Sequence, residues 1–357
     1  MMPSNSRIPE SILIVRLGAM GDVLHAMTAV AALRRATPGT RIGWSIERRW
    51  MELLRAPDGG EASVAGRKLV DTIHEVDTHT WRKHLLRDST ITKMRRAVGA
   101  IRAEKYDIAI DVQGAIKSAL IARLSGAPAV YGFAKPREQM ATLVYSRKVG
   151  VRAAHVIDQN LELFSTVAGQ SLSAADFELP VSQQAERWCE TTLMEVGSRK
   201  FAILNPGSGW GAKCWPAERF GEVARRLMEK RIASVVNYGP GEQELAKSVS
   251  AASGGAAHPV SCSLTELIAL TRRAALFVGG DTGPLHLAAA LKVPVVALFG
   301  PTEPARNGPY GAASIVLRSE RSVTSYSHVA EADPGLQSIT VDEVLRAVAQ
   351  LTGASIG

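Results

Sequence analysis

The chain has 357 residues, of which 46% are hydrophobic, and a formal net charge of +8. That length accommodates two domains with separate cores, and no apolar run reaches the roughly 18 to 20 residues of a membrane-spanning helix. The positive balance points to an acidic partner: nucleic acid, anionic lipid or a phosphorylated substrate.

The first residues, Met1 to Arg7, contain no apolar secretory core. Cys189, Cys214 and Cys262 lie too far apart for a zinc spacing or a disulfide framework. Both features point to the cytoplasm. Ile12-Leu13-Ile14-Val15 is a continuous apolar run, as suits a parallel strand buried on both faces. A loop of small residues follows, with Asp22 in an N-cap position before a helix carrying Val23, Met27, Val30 and Leu33. Ile42 to Ile46 predicts the next strand, and Arg55 to Lys68 a loop. From His79 to Arg102 seven Lys or Arg residues stand against one Asp, Asp88. This stretch is either a solvated helix face or an anion-binding surface. With Trp81 as its only aromatic residue, it makes a poor base-stacking platform. Tyr106 to Val112 predicts a strand, Gln113-Gly114 a turn and Ile116 to Leu124 a helix.

A polar stretch around Ser171 to Gln184 separates this half from a second with the same pattern. Phe201 to Leu204 predicts a strand and Asn205 to Gly209 a loop. A helix from Pro216 places Phe220, Val223, Ala224, Leu227 and Met228 on one face. Strands at Ala233 to Val236, Leu276 to Val278 and Val295 to Phe299 follow, with a last helix from Val341 to Leu351. Strands alternating with helices predict an α/β chain with two doubly wound, Rossmann-like domains. Their strand-end loops would converge on a central cleft.

The most informative segment is Asp281-Thr282-Gly283-Pro284-Leu285-His286, which opens an alanine-rich helix after Gly279-Gly280. Pro284 suits a first helical position, where its missing N–H needs no partner. Amides ahead of it, with the helix dipole, make a diphosphate seat. The same residues also fit an ordinary turn capped by Asp or Thr.

Further segments join it: Arg16-Leu-Gly-Ala-Met-Gly-Asp-Val-Leu-His25, Gln113-Gly-Ala-Ile-Lys-Ser118, Arg137 to Lys148, Lys213-Cys-Trp-Pro216, Gly239-Pro-Gly-Glu242 and Gly300-Pro-Thr-Glu-Pro304. In this order they resemble the ADP-heptose:lipopolysaccharide heptosyltransferases, glycosyltransferases of the GT-B fold. The resemblance covers nearly the whole chain. It is closest to the members that add the first heptose to the Kdo of lipid A in the lipopolysaccharide inner core. It implies an N-terminal acceptor-binding domain over 1–180 and a C-terminal nucleotide-sugar domain over 185–335. It also implies a final helix, 336–357, able to pack back on the N-terminal domain.

By the same resemblance Asp22 is the general base, with His25 as backup or as a structural histidine. Lys213 neutralises the donor diphosphate beside Asp281, Thr282 and Gly283, and Glu242 binds the ribose. Ser208 lines the donor site, His286 orients the turn, reaches the donor or is structural, and Cys262 stands where a methionine flanks the adenine. Lys213 could equally be a solvated loop residue. Arg82, Lys83, Lys117 and Arg137 face the acidic acceptor, Kdo-lipid A. A positive face of this kind would hold the protein on an anionic inner leaflet without an anchor. With Lys213 and helix amides available, no metal or cofactor is expected, and no Asp-x-Asp motif is present.

Four alternatives compete with this reading. One is a related transferase using another nucleotide sugar or a later core acceptor. Another is a non-catalytic nucleotide- or lipid-binding protein, for which loss of Asp22 or Lys213 would be expected. The third is a dehydrogenase, disfavoured because no G-x-G-x-x-G follows the first strand. A nucleic-acid binder would leave the diphosphate-type loops unexplained.

Overall fold

The computed structural model describes residues 9–83, 88–198, 200–325 and 331–353. It divides into two compact units, Met1–Pro180 and Val181–Gly357.

In the first unit the elements run β1 (Ser11–Val15), α1 (Met20–Ala36), β2 (Arg41–Glu47), β3 (Ser63–Val64), β4 (Arg67–Lys68) and β5 (Thr72–Val76). They continue with α2 (Thr78–Lys83), α3 (Asp88–Ala103), β6 (Ile108–Asp111), α4 (Ile116–Leu124), β7 (Ala129–Phe133), β8 (Arg147–Val149) and α5 (Val156–Ala168). Six strands form a parallel sheet in the order β5-β2-β1-β6-β7-β8. The stretch predicted as a loop contains the small antiparallel pair β3–β4. β1 is buried along its whole length, because helices cover both faces of the sheet. Trp81 packs into the core with Leu13, Val15, Tyr106 and Tyr145, so it offers no exposed ring for stacking.

The second unit contains α6 (Gln183–Val196), β9 (Phe201–Asn205), α7 (Ala217–Glu229), β10 (Ala233–Tyr238), α8 (Gln243–Ala252), β11 (Ala257–Ser261) and α9 (Leu264–Arg273). Then come β12 (Leu276–Gly280), α10 (Gly283–Ala290), β13 (Val295–Phe299), α11 (Pro304–Asn307), β14 (Ser314–Arg318), α12 (Pro334–Ser338) and α13 (Val341–Thr352). Its parallel sheet repeats the winding, β11-β10-β9-β12-β13-β14. The predicted face of α7 is buried at Phe220, Val223, Ala224 and Leu227, each large side chain contributing about 1.5–3 kcal/mol. Met228 is the exception and is exposed, since it sits at the margin of that stripe.

Helix α13 packs on α7, β13 and β14, and its Val344, Leu345 and Val348 belong to the second unit's core. Gly279 and Gly280 are the last two residues of β12. A Cβ at Gly279 would meet Asn205 O at 3.0 Å, and one at Gly280 would meet Lys213 O at 3.1 Å. Glycine there lets the loop after β9 lie close against β12.

Both sheets reverse winding direction between the first and fourth strands. In the first unit this point lies between β1 and β6, in the second between β9 and β12. Ligands of doubly wound sheets bind outside the carboxyl ends of the strands at such points.

Candidate functional site

At the first unit's reversal point Asp22 lies on the third residue of α1, not at the N-cap, which is Ala19. Its Oδ2 accepts the Ala19 N–H at 3.3 Å and forms an ion pair with Arg16 Nη2. The Asp22 side chain remains 40% exposed, so its carboxyl group faces solvent from the first turn of α1. Arg16 is nearly buried, and its Nη1 donates to the Val112 carbonyl at 2.9 Å, linking the ends of β1 and β6. Gln113 Oε1 strengthens that link by accepting the Leu17 N–H at 3.0 Å. His25 is buried and packs edge-on against His155 at 5.9 Å, a position that suits core packing.

Sequence reasoning passed over Asp111, the fully buried last residue of β6. Its carboxylate accepts from Gln113 N (2.9 Å), Gly114 N (3.2 Å), Ser118 Oγ (3.0 Å) and Tyr145 OH (2.7 Å). Burial pushes its carboxyl up, against the opposing pull of Tyr145, Ser118 and the two amides. The network shapes the turn that presents Lys117 at the start of α4. Lys117 Nζ donates to Thr78 Oγ1 at 3.1 Å, at the start of α2. Arg137 is exposed one residue before Glu138, whose carboxylate accepts the Ile116 N–H at 2.8 Å. Lys117 and Arg137 therefore lie on segments that meet at the first turn of α4. Arg82 and Lys83 end α2, but their side chains lie outside the described residues.

The second unit's reversal point is built around Asp281, whose side chain is 8% exposed. Lys213 Nζ approaches Asp281 Oδ2 at 2.8 Å and the Asp281 carbonyl at 3.1 Å, and lies 4.5 Å from the Trp210 ring centroid. His286 Nε2 donates to Asp281 Oδ1 at 3.1 Å. Burial alone raises the Asp281 carboxyl, but the His286 hydrogen bond and charge, with Lys213, outweigh it and hold it well below the usual range. Thr282 is the N-cap of α10, with Gly283 first and Pro284 second in the helix. Neither Asp281 nor Thr282 caps by side chain: Thr282 Oγ1 turns back to the Gly280 carbonyl at 3.3 Å. The first-turn amides of α10 thus lie next to a fixed lysine, an arrangement suited to holding a diphosphate.

Around this seat Asn205 Nδ2 donates to Gly207 O at 3.0 Å, and Asn205 Oδ1 accepts from Asn237 Nδ2 at 3.1 Å. Cys262 Sγ donates to Asn237 Oδ1 at 3.3 Å, and its partial burial pushes the thiol up to about 12. This relay joins the ends of β9, β10 and β11. Glu242 is the N-cap residue of α8 and accepts the Gly239 N–H at 2.8 Å. A side chain at Gly207 would collide with its carboxylate, so that glycine brings Glu242 against the loop after β9. Ser208 turns its hydroxyl into its own loop, toward the Trp210 carbonyl and to 3.7 Å from Cys214 Sγ.

The structure therefore gathers Lys213, Asp281, Thr282, Gly283 and His286 directly, with Glu242 and Cys262 on neighbouring strand ends. Among the described residues no helix is long and apolar enough to cross a membrane.

The family model described as glycosyltransferase family 9 (heptosyltransferase) matches residues 94–332. The chain is 30% identical over 315 residues to lipopolysaccharide heptosyltransferase 1 of Pseudomonas aeruginosa, covering 87% of this chain and 84% of that one. It is 29% identical over 314 residues to the Escherichia coli protein of the same name, covering 87% and 94%. Among solved structures, the E. coli heptosyltransferase WaaC with ADP superposes with a TM-score of 0.76 at 26% identity, covering 96% of this chain and 99% of that one. The chain belongs to glycosyltransferase family 9, the heptosyltransferases.

Proposed function

We propose that this chain is the inverting glycosyltransferase that moves L-glycero-D-manno-heptose from ADP-heptose to the Kdo of lipid A, in lipopolysaccharide inner-core biosynthesis. The observation that carries this reading is the Lys213–Asp281–His286 cluster at the start of α10, a fixed cation beside helix amides. The names of the relatives support it, and so does the WaaC structure with ADP-2-deoxy-2-fluoro heptose, 25% identical with a TM-score of 0.73.

Asp22 takes the proton of the acceptor hydroxyl as that oxygen attacks the anomeric carbon. The bond from that carbon to the diphosphate breaks with inversion, and ADP leaves carrying the electron pair. Lys213 and the amides at Thr282 and Gly283 neutralise the developing charge, which removes the need for a metal ion. Glu242 binds the ribose hydroxyls, with Ser208, His286 and Cys262 lining the donor site. Given where its hydroxyl points, Ser208 contributes through its backbone. Arg82, Lys83, Lys117 and Arg137 engage the carboxylates and phosphates of Kdo-lipid A. The protein works peripherally at the cytoplasmic face of the inner membrane.

The direct test follows ADP release and acceptor mass together, with ADP-heptose and Kdo-lipid A, in the presence and absence of a chelator. A heptose-sized mass gain, undiminished by the chelator, is expected. ADP binding without mass gain would redirect the search to other sugars or later core acceptors.

A further inference from the structure

Among the described residues of the first unit, all exposed large hydrophobic side chains sit in one place. Ile116, Leu120 and Leu124 lie on α4, and Met140 and Leu143 on the adjoining 3-10 turn Gln139–Leu143, which packs beside it. In the second unit such side chains are scattered singly over α6, α7, β14 and two loops. Spacing of four residues puts the three α4 side chains in one stripe. The opposite side of α4 is also apolar, burying Ala119, Ile121 and Ala122 in the core. A helix apolar on its outer face as well calls for a second partner. The turn is the most prominent part, with Met140 64% and Leu143 79% exposed.

Charge identifies that partner. From Lys117 to Lys148 the chain has six Lys or Arg residues, all exposed, against one acidic residue, Glu138. Glu138 is already engaged with the first turn of α4. A second copy of this chain would set the same cationic rim against itself across a two-fold contact. A nucleic acid would leave the apolar tips without a role. An anionic bilayer satisfies both features: apolar side chains enter the boundary between headgroups and acyl chains, and the surrounding cations meet lipid phosphates.

We propose that α4 and the 139–143 turn form a docking surface for an anionic phospholipid bilayer, with Met140 and Leu143 inserting and the Lys117–Lys148 cations flanking them. Lys117 and Arg137 are also assigned to the acceptor, so the test relies on Met140, Leu143, Arg147 and Lys148, which lie outside that assignment, and on vesicles that carry neither donor nor acceptor.

The test is co-sedimentation of the full chain with vesicles of phosphatidylcholine containing one-third phosphatidylglycerol, beside vesicles of phosphatidylcholine alone. The wild-type protein is expected on the mixed vesicles, released by salt, and largely absent from the neutral ones. Met140→Ser with Leu143→Ser should weaken partition by about tenfold or more, since two apolar insertions are lost. Both side chains are largely exposed, so the change opens no core cavity. Arg147→Gln with Lys148→Gln, on the edge strand β8, should reduce the preference for the anionic vesicles. Binding by the Met140/Leu143 variant equal to wild type overturns the proposal. So does a wild-type dimer that the same variant converts to monomer without vesicles, because the patch would then be covered by a second copy.

Discussion

In each unit the fourth strand of the six-stranded sheet leads to a buried aspartate, and the two are held in opposite ways. Asp111, at the end of β6, is surrounded by neutral donors: two amides, a serine and a tyrosine. Asp281, just beyond β12, is flanked by Lys213 and His286. Burial raises the first carboxyl, whereas the second is pulled far down. The same winding therefore produces two different devices. Neutral donors around a carboxylate fix a turn, whereas a carboxylate that stays ionised can hold a cation in place for a ligand. The solvent-facing carboxyl group at the first reversal point is Asp22, so the proposed mechanism assigns proton transfer to the first unit and anion binding to the second.

The largest expected effect tests that division. Asp22→Ala should reduce transfer by about 10²–10⁴-fold, the usual range for a general base, while the dissociation constant for ADP stays near wild type. A variant with comparable turnover removes Asp22 from the chemistry. Next in size is Lys213→Ala. Loss of one charge-assisted contact costs about 1.5–3 kcal/mol, so ADP should bind roughly ten- to a hundredfold more weakly by calorimetry. An unchanged constant would take Lys213 out of the donor site.

The two buried aspartates can be separated by acid. A depressed carboxyl such as Asp281 makes the native state bind fewer protons than the unfolded chain. Its contribution is present above the free aspartate value of about 3.9 and is lost as the pH falls below it. A raised carboxyl such as Asp111 has the reverse sign: its favourable contribution lies below that value and fades as the pH rises through the native pKa. The stability difference between wild type and Asp281→Asn should therefore grow with rising pH through the acid range. For Asp111→Asn it should shrink. Denaturant midpoints measured from about pH 3 to pH 6 distinguish the two, and parallel slopes would contradict the assignment.

The central strands β1, β9, β12 and β13 were legible in the sequence because burial on both faces leaves an unbroken apolar run. The edge strands were not. β8 is Arg147-Lys148-Val149 and β11 contains Pro259, compositions an edge tolerates and a central strand does not. The lysine and the start of α10 were also readable, since the chemistry is carried by local motifs. The Asn205–Asn237–Cys262 relay was not, because it depends on three strands being in register. Asp111 was read only as part of an apolar strand, and its four donors come from three separate segments. The sequence puts Asp22 at an N-cap because its loop of small residues hides a helix that starts three residues earlier, at Met20.

The smallest effect sharpens the neutral side of the comparison. Ser118→Ala removes one donor from Asp111 but leaves Tyr145 and the two amides in place. A partly compensated buried carboxylate of this kind should cost about 1–2 kcal/mol, or a melting-temperature drop of a few degrees for a unit of this size. ADP affinity should not change, because Ser118 belongs to the first unit and its hydrogen bonds stay within the β6–α4 turn. Transfer should fall only as far as the Gln113–Gly114 turn relaxes and loosens Leu17, which Gln113 holds. If ADP binding weakened along with stability, the turn would be coupled to the donor site. The two aspartates would then be parts of one device rather than two.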